Sequence, residues 1–521
     1  MNPTPPTQTA RDPRTVLLVA SVVSCLVMLD SNIVAVALPT IAQSLSASFS
    51  DIQWVITAYV LPFAALLMAA GSFADLVGRR RAALLGLVIF GVASLFCGVA
   101  TSALVLNLSR ALQGIGASLL LTASLAIINH SFPGPARAQA YAFWGACVGI
   151  AITSGPILGG LISSALGWHW AFLINLPLCA FLIVATLRVI PESKDPAARR
   201  LDWQGIVVFT AGLFLVTWGV IGGNSLGWSS VAILARLGIG VALLIAFIFV
   251  EHVQAQPMID FRLLRTRDFA GSALAMVGYA TAAQVMIFYL PLVLQNSYGF
   301  APVVAGLAML PFALPMFIVP RVVSRIMSHW PSRSILGLGL TITTIADASL
   351  AMLSVSQVSY WAMAAGMLLA GTGAGLLNGE TAKAMQSTLP ADKSGMASGV
   401  AATVRFGALV IGVAVLGAVL SAATAHGMDF ASALWGTDPA AALEAGKHFA
   451  AGDLSAALQG LSAEARPKAG EALRQAFAGG FSAAAWTASG IGLVTCLSTL
   501  YFLRGQVPVA NAGHLHVAPG E

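Results

Sequence analysis

The chain has 521 residues, of which 58% are hydrophobic and only 9% are charged, and its mean hydropathy is +0.86. Soluble globular domains average about 25% charged residues, so this composition excludes a chain that mostly faces water. The formal net charge of +6 would fit a nucleic-acid partner, but the placement of the basic residues indicates the positive-inside rule of membrane proteins instead.

Apolar stretches of spanning length recur from Val16 to Leu503, separated by short polar breaks. A helix needs roughly 20 residues to cross the hydrocarbon core, and only helices or closed barrels satisfy their own backbone hydrogen bonds there. The stretches are continuous rather than alternating in polarity, which favours helices. We therefore predict an all-α polytopic membrane protein with fourteen transmembrane helices.

The fourteen spans divide into two six-helix bundles with two helices inserted between them. A short repeat supports this division, because LPFAA from Leu61 reappears as LPFAL from Leu310, each on a helix that leads to a basic loop. The predicted segments are a cytoplasmic tail at 1–14, an N-terminal bundle at 15–190, a two-helix insert with flanking loops at 191–268, a C-terminal bundle at 269–503 that includes an extracytoplasmic loop at 423–479, and a cytoplasmic tail at 504–521.

Lysine and arginine gather in alternate loops. Arg79, Arg137 and Lys194 fall on one side, whereas the opposite short loops around Ser102 and Leu166 carry no basic residue. Because basic loops stay in the cytoplasm, we predict a multi-pass protein of the cytoplasmic (inner) membrane with both termini in the cytoplasm.

Two ionisable residues lie deep in predicted spans. Asp30 lies about 15 residues into the first span, or roughly 22 Å at 1.5 Å per residue, and Arg110 lies roughly 9 Å into the fourth span from the opposite face. In a core about 30 Å thick these depths coincide. An Asp30–Arg110 ion pair is therefore expected, either as a static link between two helices or as a device that exchanges a proton.

Two further stretches are rich in small residues. Gly71–Arg81 reads GSFADLVGRRR and follows the second span, while Gly145–Gly160 reads GACVGIAITSGPILGG within the fifth span. Small residues let helices approach closely, and the internal Pro156 favours a bend.

These stretches resemble motifs of the major facilitator superfamily. The first span reads LDSNIVAVALP from Leu29 to Pro39, which is similar to the L-D-x-T-I-V-N-V-A-L-P motif of its fourteen-span drug:proton antiporters, the EmrB/QacA type. Asn32 and Ala35 depart from that motif. The stretch Gly71–Arg81 is similar to the G-x-L-a-D-r-x-G-r-r loop of the superfamily, with Leu76 in place of a usual basic residue. The resemblance covers nearly the whole chain and implies the major facilitator fold and a bacterial inner membrane.

The resemblance also implies roles for particular residues. Asp30 and Arg110 would couple transport to protons. Arginine cannot itself release a proton, so Asp30 would carry it. A conformational latch is implied at Gly71, Asp75, Gly78, Arg79, Arg80 and Arg405. The antiporter motif is implied at Gly145, Gly149, Gly155, Pro156, Gly159 and Gly160. The substrate cavity is expected to include Tyr59, Gln113, Asn175, Gln295 and Glu380.

We therefore predict a proton-driven exporter of small amphipathic molecules, neutral or cationic, working by alternating access. No enzyme activity, cofactor or metal is expected, and no phosphate-binding G-x-x-x-x-G-K-[ST] loop occurs. The expected partners are a small-molecule substrate, protons and the lipid bilayer, with no nucleic acid, and the chain is expected to be a monomer. The alternatives are a dedicated exporter of one endogenous metabolite, an uptake symporter, or a subunit that docks a periplasmic adaptor and an outer-membrane channel.

Overall fold

The computed structural model contains fourteen helices that are long and apolar enough to span a membrane, and the described residues include no strand. The structure describes residues 12–132, 135–194, 202–254, 265–327, 329–355, 359–388, 394–435, 445 and 466–503. Apart from 12–14, the two predicted tails lie outside the described residues, as does the middle of the predicted loop at 423–479.

Six helices form the N-terminal bundle, and two more follow as the insert. The six are Pro13–Leu45 (α1), Phe49–Val77 (α2), Arg79–Gly98 (α3), Ala103–Ser131 (α4), Pro135–Ala165 (α5), and α6, which comprises Trp170–Leu173 and Asn175–Val189. The insert consists of Trp203–Leu226 (α7) and Val231–Val253 (α8).

Six further helices form the C-terminal bundle, and two of them are interrupted. They are α9, in which a π-helical turn at Tyr279–Gln284 joins Arg267–Gly278 to Met286–Asn296, α10 (Pro302–Ala308 and Leu310–Ile326), Ser332–Val355 (α11), Tyr360–Ser387 (α12), Ser394–Trp435 (α13) and Arg466–Phe502 (α14).

Local capping signals fix where the first two helices begin. Asp12 Oδ1 accepts a hydrogen bond from the Arg14 amide at 3.1 Å, and Pro13 occupies the first turn, where its missing N–H is not needed. At the start of α2, Ser48 Oγ accepts from the Asp51 amide while Asp51 Oδ2 accepts from the Ser48 amide, at 3.2 and 3.0 Å. This reciprocal capping box satisfies two backbone donors that a helix start leaves free.

The two inserted helices pack on each other, and the first of them, α7, packs against α2 and α13. The Phe214 ring on α7 lies 5.8 Å from the Trp54 ring on α2, and Asn224 Nδ2 donates to the Ala418 carbonyl oxygen on α13 at 2.6 Å. The insert therefore covers the outer side of the contact between α2 of the N-terminal bundle and α13 of the C-terminal bundle.

The two bundles approach each other more closely at one end of the helices than at the other. We name the two ends after residues of α2: the Gln53 end, where α2 begins, and the Asp75 end, where α2 finishes. Toward the Gln53 end, α5 and α10 pack backbone to backbone. A Cβ added to Gly160 would collide with the carbonyl oxygen of Pro302, and one added to Gly306 would collide with that of Pro156. Only glycine permits this approach, so the bundles are closed against each other at this end.

Toward the Asp75 end, the bundles touch through flexible side chains. The Met68 side chain lies 3.2 Å from where a Cβ on Gly399 would stand, and the Phe317 ring lies 3.1 Å from the equivalent point on Gly149. Nothing lies within 4 Å of such a point on Gly145. The described conformation is thus closed at the Gln53 end and looser at the Asp75 end.

The predicted loop at 423–479 is shorter in the structure. Helix α13 continues to Trp435 and α14 begins at Arg466, so residues 423–435 and 466–479 are helical. The 42 residues of α13 correspond to about 63 Å of helix, twice the hydrocarbon thickness. The apolar run therefore marks the membrane-embedded part of the helix and not its end.

Candidate functional site

Asp30 on α1 and Arg110 on α4 form an ion pair inside the N-terminal bundle. Arg110 Nη1 lies 2.7 Å from Asp30 Oδ2, and the two side chains are 2% and 0% exposed, respectively. The structure thus brings together the two residues whose depths match in the sequence. Their role in proton coupling stays a prediction.

Two amide side chains complete the surroundings of the Asp30 carboxylate. Asp30 Oδ1 accepts hydrogen bonds from Gln113 Nε2 at 2.9 Å and from Asn175 Nδ2 at 2.7 Å. Both amides also donate to the Ser94 hydroxyl oxygen, at 2.9 and 3.3 Å. With Arg110, three N–H donors face one buried carboxylate, which compensates its removal from water.

Close approach of α2 and α4 lets Arg110 reach this position. A Cβ on Gly114 would collide with the Tyr59 carbonyl oxygen, so glycine is needed for the approach. Arg110 Nε then donates to the Val55 carbonyl oxygen at 3.1 Å, and its guanidinium carbon lies 4.0 Å from the Tyr59 ring centroid. The arginine is held by backbone and by an aromatic face as well as by Asp30.

A cavity of about 40 Å³ lies between the two bundles beside this pair, lined mainly by apolar and aromatic side chains with a few polar groups. The fifteen lining residues are Val27, Met28, Ser31, Asn32, Tyr59, Val60, Phe63, Ile152, Gln284, Ile287, Phe288, Met316, Arg405, Phe406 and Leu409. Among these fifteen, Arg405 is the one charged residue. Tyr59 belongs to both sites, because its ring also stacks on Arg110.

A small network in the C-terminal bundle fixes Arg405. Its Nε donates to Gln284 Oε1 at 2.9 Å and its Nη2 donates to the Tyr279 hydroxyl at 3.1 Å. Tyr279 in turn donates to Asn378 Oδ1 at 3.0 Å. Tyr279 and Gln284 begin and end the π-helical turn of α9, a rare element that is frequent at functional sites.

Three of the residues expected to line the cavity lie in or beside the Asp30 site. Tyr59 does line the cavity. Gln113 and Asn175 instead donate to Asp30 and are buried on the inner side of α4 and α6. The expectation missed Ser94 altogether, since a serine within an apolar span carries no distinguishing signal in one sequence.

The other two expected cavity residues lie elsewhere. Gln295 Nε2 donates to the Val36 carbonyl oxygen at 3.0 Å, where it joins α9 to α1 toward the Gln53 end. Glu380 accepts from the Ser332 hydroxyl at 2.6 Å and from Lys383 Nζ at 3.2 Å. The charge of Glu380 is therefore compensated by Lys383 on the same helix, and Glu380 does not line the cavity.

Asp75 pairs within its own loop in this conformation. Its Oδ1 accepts from Arg79 Nε and Nη2 at 3.1 and 3.0 Å. Arg405, the expected latch partner, lines the cavity, because α13 begins at Ser394 and eleven residues of helix carry Arg405 about 16 Å from that start. The structure does not bring Asp75 and Arg405 together, and a latch at the Asp75 end remains a prediction.

Glu192, which the sequence interpretation did not single out, holds the turn between α2 and α3. Its Oε1 accepts from the Arg80 amide at 3.2 Å, and its Oε2 lies 3.8 Å from Arg80 Nε and 3.6 Å from Arg81 Nε. The turn depends on Gly78, which has a φ of 121° that L side chains rarely adopt. The signal available in the sequence was an acid two residues before Lys194, in the basic loop that follows the sixth span.

Four residues of the expected antiporter motif, Gly155, Pro156, Gly159 and Gly160, form close helix contacts on α5. A Cβ on Gly155 would collide with the Cβ of Asn32, and one on Gly159 would lie 3.0 Å from the Ile33 Cα, so both glycines pack against α1. Gly160 and Pro156 pack against α10 as described above. One helix therefore ties the helix that carries Asp30 to the opposite bundle.

Helix α1 connects the ion pair to the cavity. Ser31 and Asn32 line the cavity, whereas the preceding Asp30 faces Arg110. A rotation or shift of α1 that rearranges the cavity wall must therefore also displace the carboxylate.

Comparison with known proteins supports the same architecture. A model of the Major Facilitator Superfamily matches residues 20–413. Multidrug resistance protein Stp of Mycobacterium tuberculosis (strain H37Rv) is 35% identical over 402 residues, covering 76% of this chain and 74% of that protein. Cephamycin export protein CmcT of Amycolatopsis lactamdurans is 33% identical over 416 residues, covering 79% of this chain and 85% of that protein.

Solved structures show the same fold at low sequence identity. A bacterial homologue of the human lysosomal transporter Spinster, in an inward-facing and unoccupied conformation, superposes with a TM-score of 0.60 at 17% identity, covering 94% of this chain and 98% of that chain. A POT family transporter in complex with 5-aminolevulinic acid gives a TM-score of 0.61 at 15% identity, covering 85% and 94%.

Proposed function

Because this chain belongs to the Major Facilitator Superfamily, we propose that it exports small amphipathic molecules across the membrane in exchange for protons. The observation that carries the proposal is a buried carboxylate, Asp30, paired with Arg110 and adjacent through α1 to a central cavity. Relatives named for multidrug resistance and for export of an antibiotic support the direction and the class of cargo.

Asp30 is the group that would carry the proton. Arginine does not deprotonate in proteins, so Arg110 acts only through its charge. While Asp30 keeps its three donors, its carboxylate is compensated by them and shielded from water. When α1 moves, the loss of those donors favours protonation, since an unpaired buried carboxylate is costly. Substrate at Ser31, Asn32 and Tyr59 would bias α1 toward one of the two positions.

Sidedness belongs to the same proposal. The basic loop at Arg79–Arg81 lies at the Asp75 end, and basic loops stay in the cytoplasm. We therefore assign the Asp75 end and both termini to the cytoplasm of a bacterial inner membrane, which makes the described conformation inward-facing. Export of one endogenous metabolite remains the alternative, because the relatives include both a multidrug resistance protein and an exporter named for cephamycin.

The test is proton-coupled export by purified protein in liposomes. Export of a fluorescent drug should require an imposed pH gradient. Each export event should also dissipate that gradient, which the fluorescence of the pH indicator pyranine measures. Asp30→Asn keeps the volume of the side chain but cannot release a proton. We expect this variant to lose gradient-driven export while still exchanging labelled for unlabelled drug.

Asp347→Asn is the matched control. Asp347 is also fully buried in a span, and both its carboxylate oxygens have no hydrogen-bond partner within the described part of the chain. It lies on α11, away from the cavity lining, so we expect its substitution to leave coupling unchanged. Coupled export by Asp30→Asn at the wild-type rate would refute the assignment of the proton to Asp30.

A further inference from the structure

The charge of the cavity points to a class of cargo that the sequence did not indicate. Arg405 is the one charged residue among the fifteen that line the cavity, and none of the fifteen is Asp or Glu. A guanidinium stays charged at any physiological pH. An empty cavity of this kind therefore presents a fixed positive charge at membrane depth, where charge is costly unless compensated.

The protein gives Arg405 neutral partners only. Gln284 and Tyr279 accept from its Nε and Nη2, and its Nη1 makes no hydrogen bond to any described residue. None of the ion pairs in the described part of the chain includes it. The contrast with Arg110 is direct, since that arginine is paired with a carboxylate. Arg405 is thus oriented by its neighbours but lacks a counter-ion.

Aromatic and aliphatic side chains surround Arg405 in the cavity. The Phe63 and Phe406 rings meet edge to face at 4.6 Å, and the Arg405 guanidinium carbon lies 5.4 Å from the Phe406 ring centroid. Aromatic faces, Met316 and Leu409 line the remaining wall. The cavity combines apolar and aromatic walls with one guanidinium, the group that binds a carboxylate or another oxyanion in two parallel hydrogen bonds.

We infer that this cavity binds aromatic or amphipathic molecules that carry an anionic oxygen group, with Arg405 as the residue that recognises that group. The inference rests on the proposed export function and adds anions to the neutral and cationic substrates expected from the sequence. The bound anion supplies the counter-ion that the protein omits. Its presence therefore stabilises a cavity that is otherwise charged, whereas a cationic group is repelled.

Binding to three probes with one aromatic body tests the inference. The probes are 2-naphthoate, its methyl ester and 2-naphthylmethylammonium, titrated calorimetrically into the purified full-length protein at neutral pH. Charge-assisted hydrogen bonds strengthen binding by about tenfold or more. We expect 2-naphthoate to bind at least about tenfold more tightly than the ester, and the ammonium probe to bind most weakly.

Variants identify the residue responsible. Arg405→Gln removes the charge and should abolish the preference for the anion, and Arg405→Lys should keep the preference in weakened form, because an ammonium lacks the planar fork. Arg236→Gln is the matched control, since Arg236 on α8 lies 3.8 Å over the Trp218 ring and outside the cavity. It should keep the wild-type order of affinities.

Two results overturn the inference: equal or weaker binding of 2-naphthoate by the wild type, or an unchanged preference in Arg405→Gln. If Arg405→Gln does not fold, Arg405→Lys and the wild-type comparison still decide. These outcomes are separate from failure of the proposed function, because binding is measured without a gradient. A protein that prefers the anion but shows no proton-driven export retains the site and loses the export mechanism.

Discussion

At the scale of single residues, the Asp30 site depends on amides as much as on the ion pair. Asn175 and Gln113 supply two of the three donors to the carboxylate, and each of these bonds involves a charged acceptor. Such hydrogen bonds contribute about 1.5–3 kcal/mol, against about 1 kcal/mol for a bond between neutral groups. The amides are therefore expected to contribute measurably to stability.

Asn175→Ala should lower the free energy of unfolding by about 1.5–3 kcal/mol, because Asp30 Oδ1 would lose one of its two amide donors. Asn224→Ala is the matched control, since the Asn224 amide donates to a neutral backbone carbonyl. The measurement is equilibrium unfolding in mixed micelles with increasing SDS. A loss in Asn175→Ala no greater than that in Asn224→Ala would contradict the account of the site.

The sequence supported the Asp30–Arg110 pair but not the surroundings of the pair. Depth along a span can be counted from the sequence, so two charges at one depth can be matched. The face of an apolar helix cannot be read in the same way, because hydrophobic residues surround it on all sides. Gln113 was assigned to the cavity for this reason, although its position three residues after Arg110 places both on one helix face.

At the scale of helices, the interface of α5 with α10 determines whether the Gln53 end can close. Gly160 and Gly306 each face a backbone carbonyl of the partner helix with no room for a Cβ. A methyl group at either position would hold the two helices apart. The glycines are thus needed for this conformation. The pattern of small residues in the sequence predicts close helix packing, but it does not identify the partner of each glycine.

Gly306→Ala should shift the protein away from the conformation that is closed at the Gln53 end. Distances between spin labels on α5 and α10 at that end, measured by pulsed electron resonance, should lengthen or broaden. Gly238→Ala on α8 is the control, since nothing lies within 4 Å of a Cβ added there. Identical distance distributions in Gly306→Ala and the wild type would show that the interface tolerates the methyl group.

Helix number followed from the sequence, but helix length did not. Fourteen apolar runs predicted fourteen helices, since the hydrocarbon core imposes a minimum length. Water-exposed ends add turns that hydropathy does not detect, which is why α13 and α14 extend into the segment predicted as a loop. The latch interpretation placed Arg405 near the start of α13, but eleven residues of helix separate it from Ser394.

At the scale of the whole molecule, the two ends of the structure carry different chemistry. The Asp75 end has a basic loop held by Glu192, and the Gln53 end has closely packed backbone. The distribution of lysine and arginine predicts which end faces the cytoplasm, because translocating basic loops is unfavourable.

Single cysteines at two loops test the assignment in a background without the five native cysteines. Ser229→Cys, between α7 and α8 at the Gln53 end, should react with a membrane-impermeant maleimide added to intact cells. His329→Cys, between α10 and α11 at the Asp75 end, should react only after permeabilisation. The reverse labelling pattern would invert the proposed orientation and make the described conformation outward-facing.

The π-helical turn of α9 makes the protein sensitive to a mutation that deletes a single residue. In an α-helix each residue advances the chain by about 100°, so losing one codon within Tyr279–Gln284 would rotate Met286–Asn296 against the first half of α9. Tyr289, which donates to Val413, and Gln295, which donates to Val36, would then face other neighbours. One deletion would therefore disturb the Arg405 network and the closed end together, so the two features can be lost in a single genetic event.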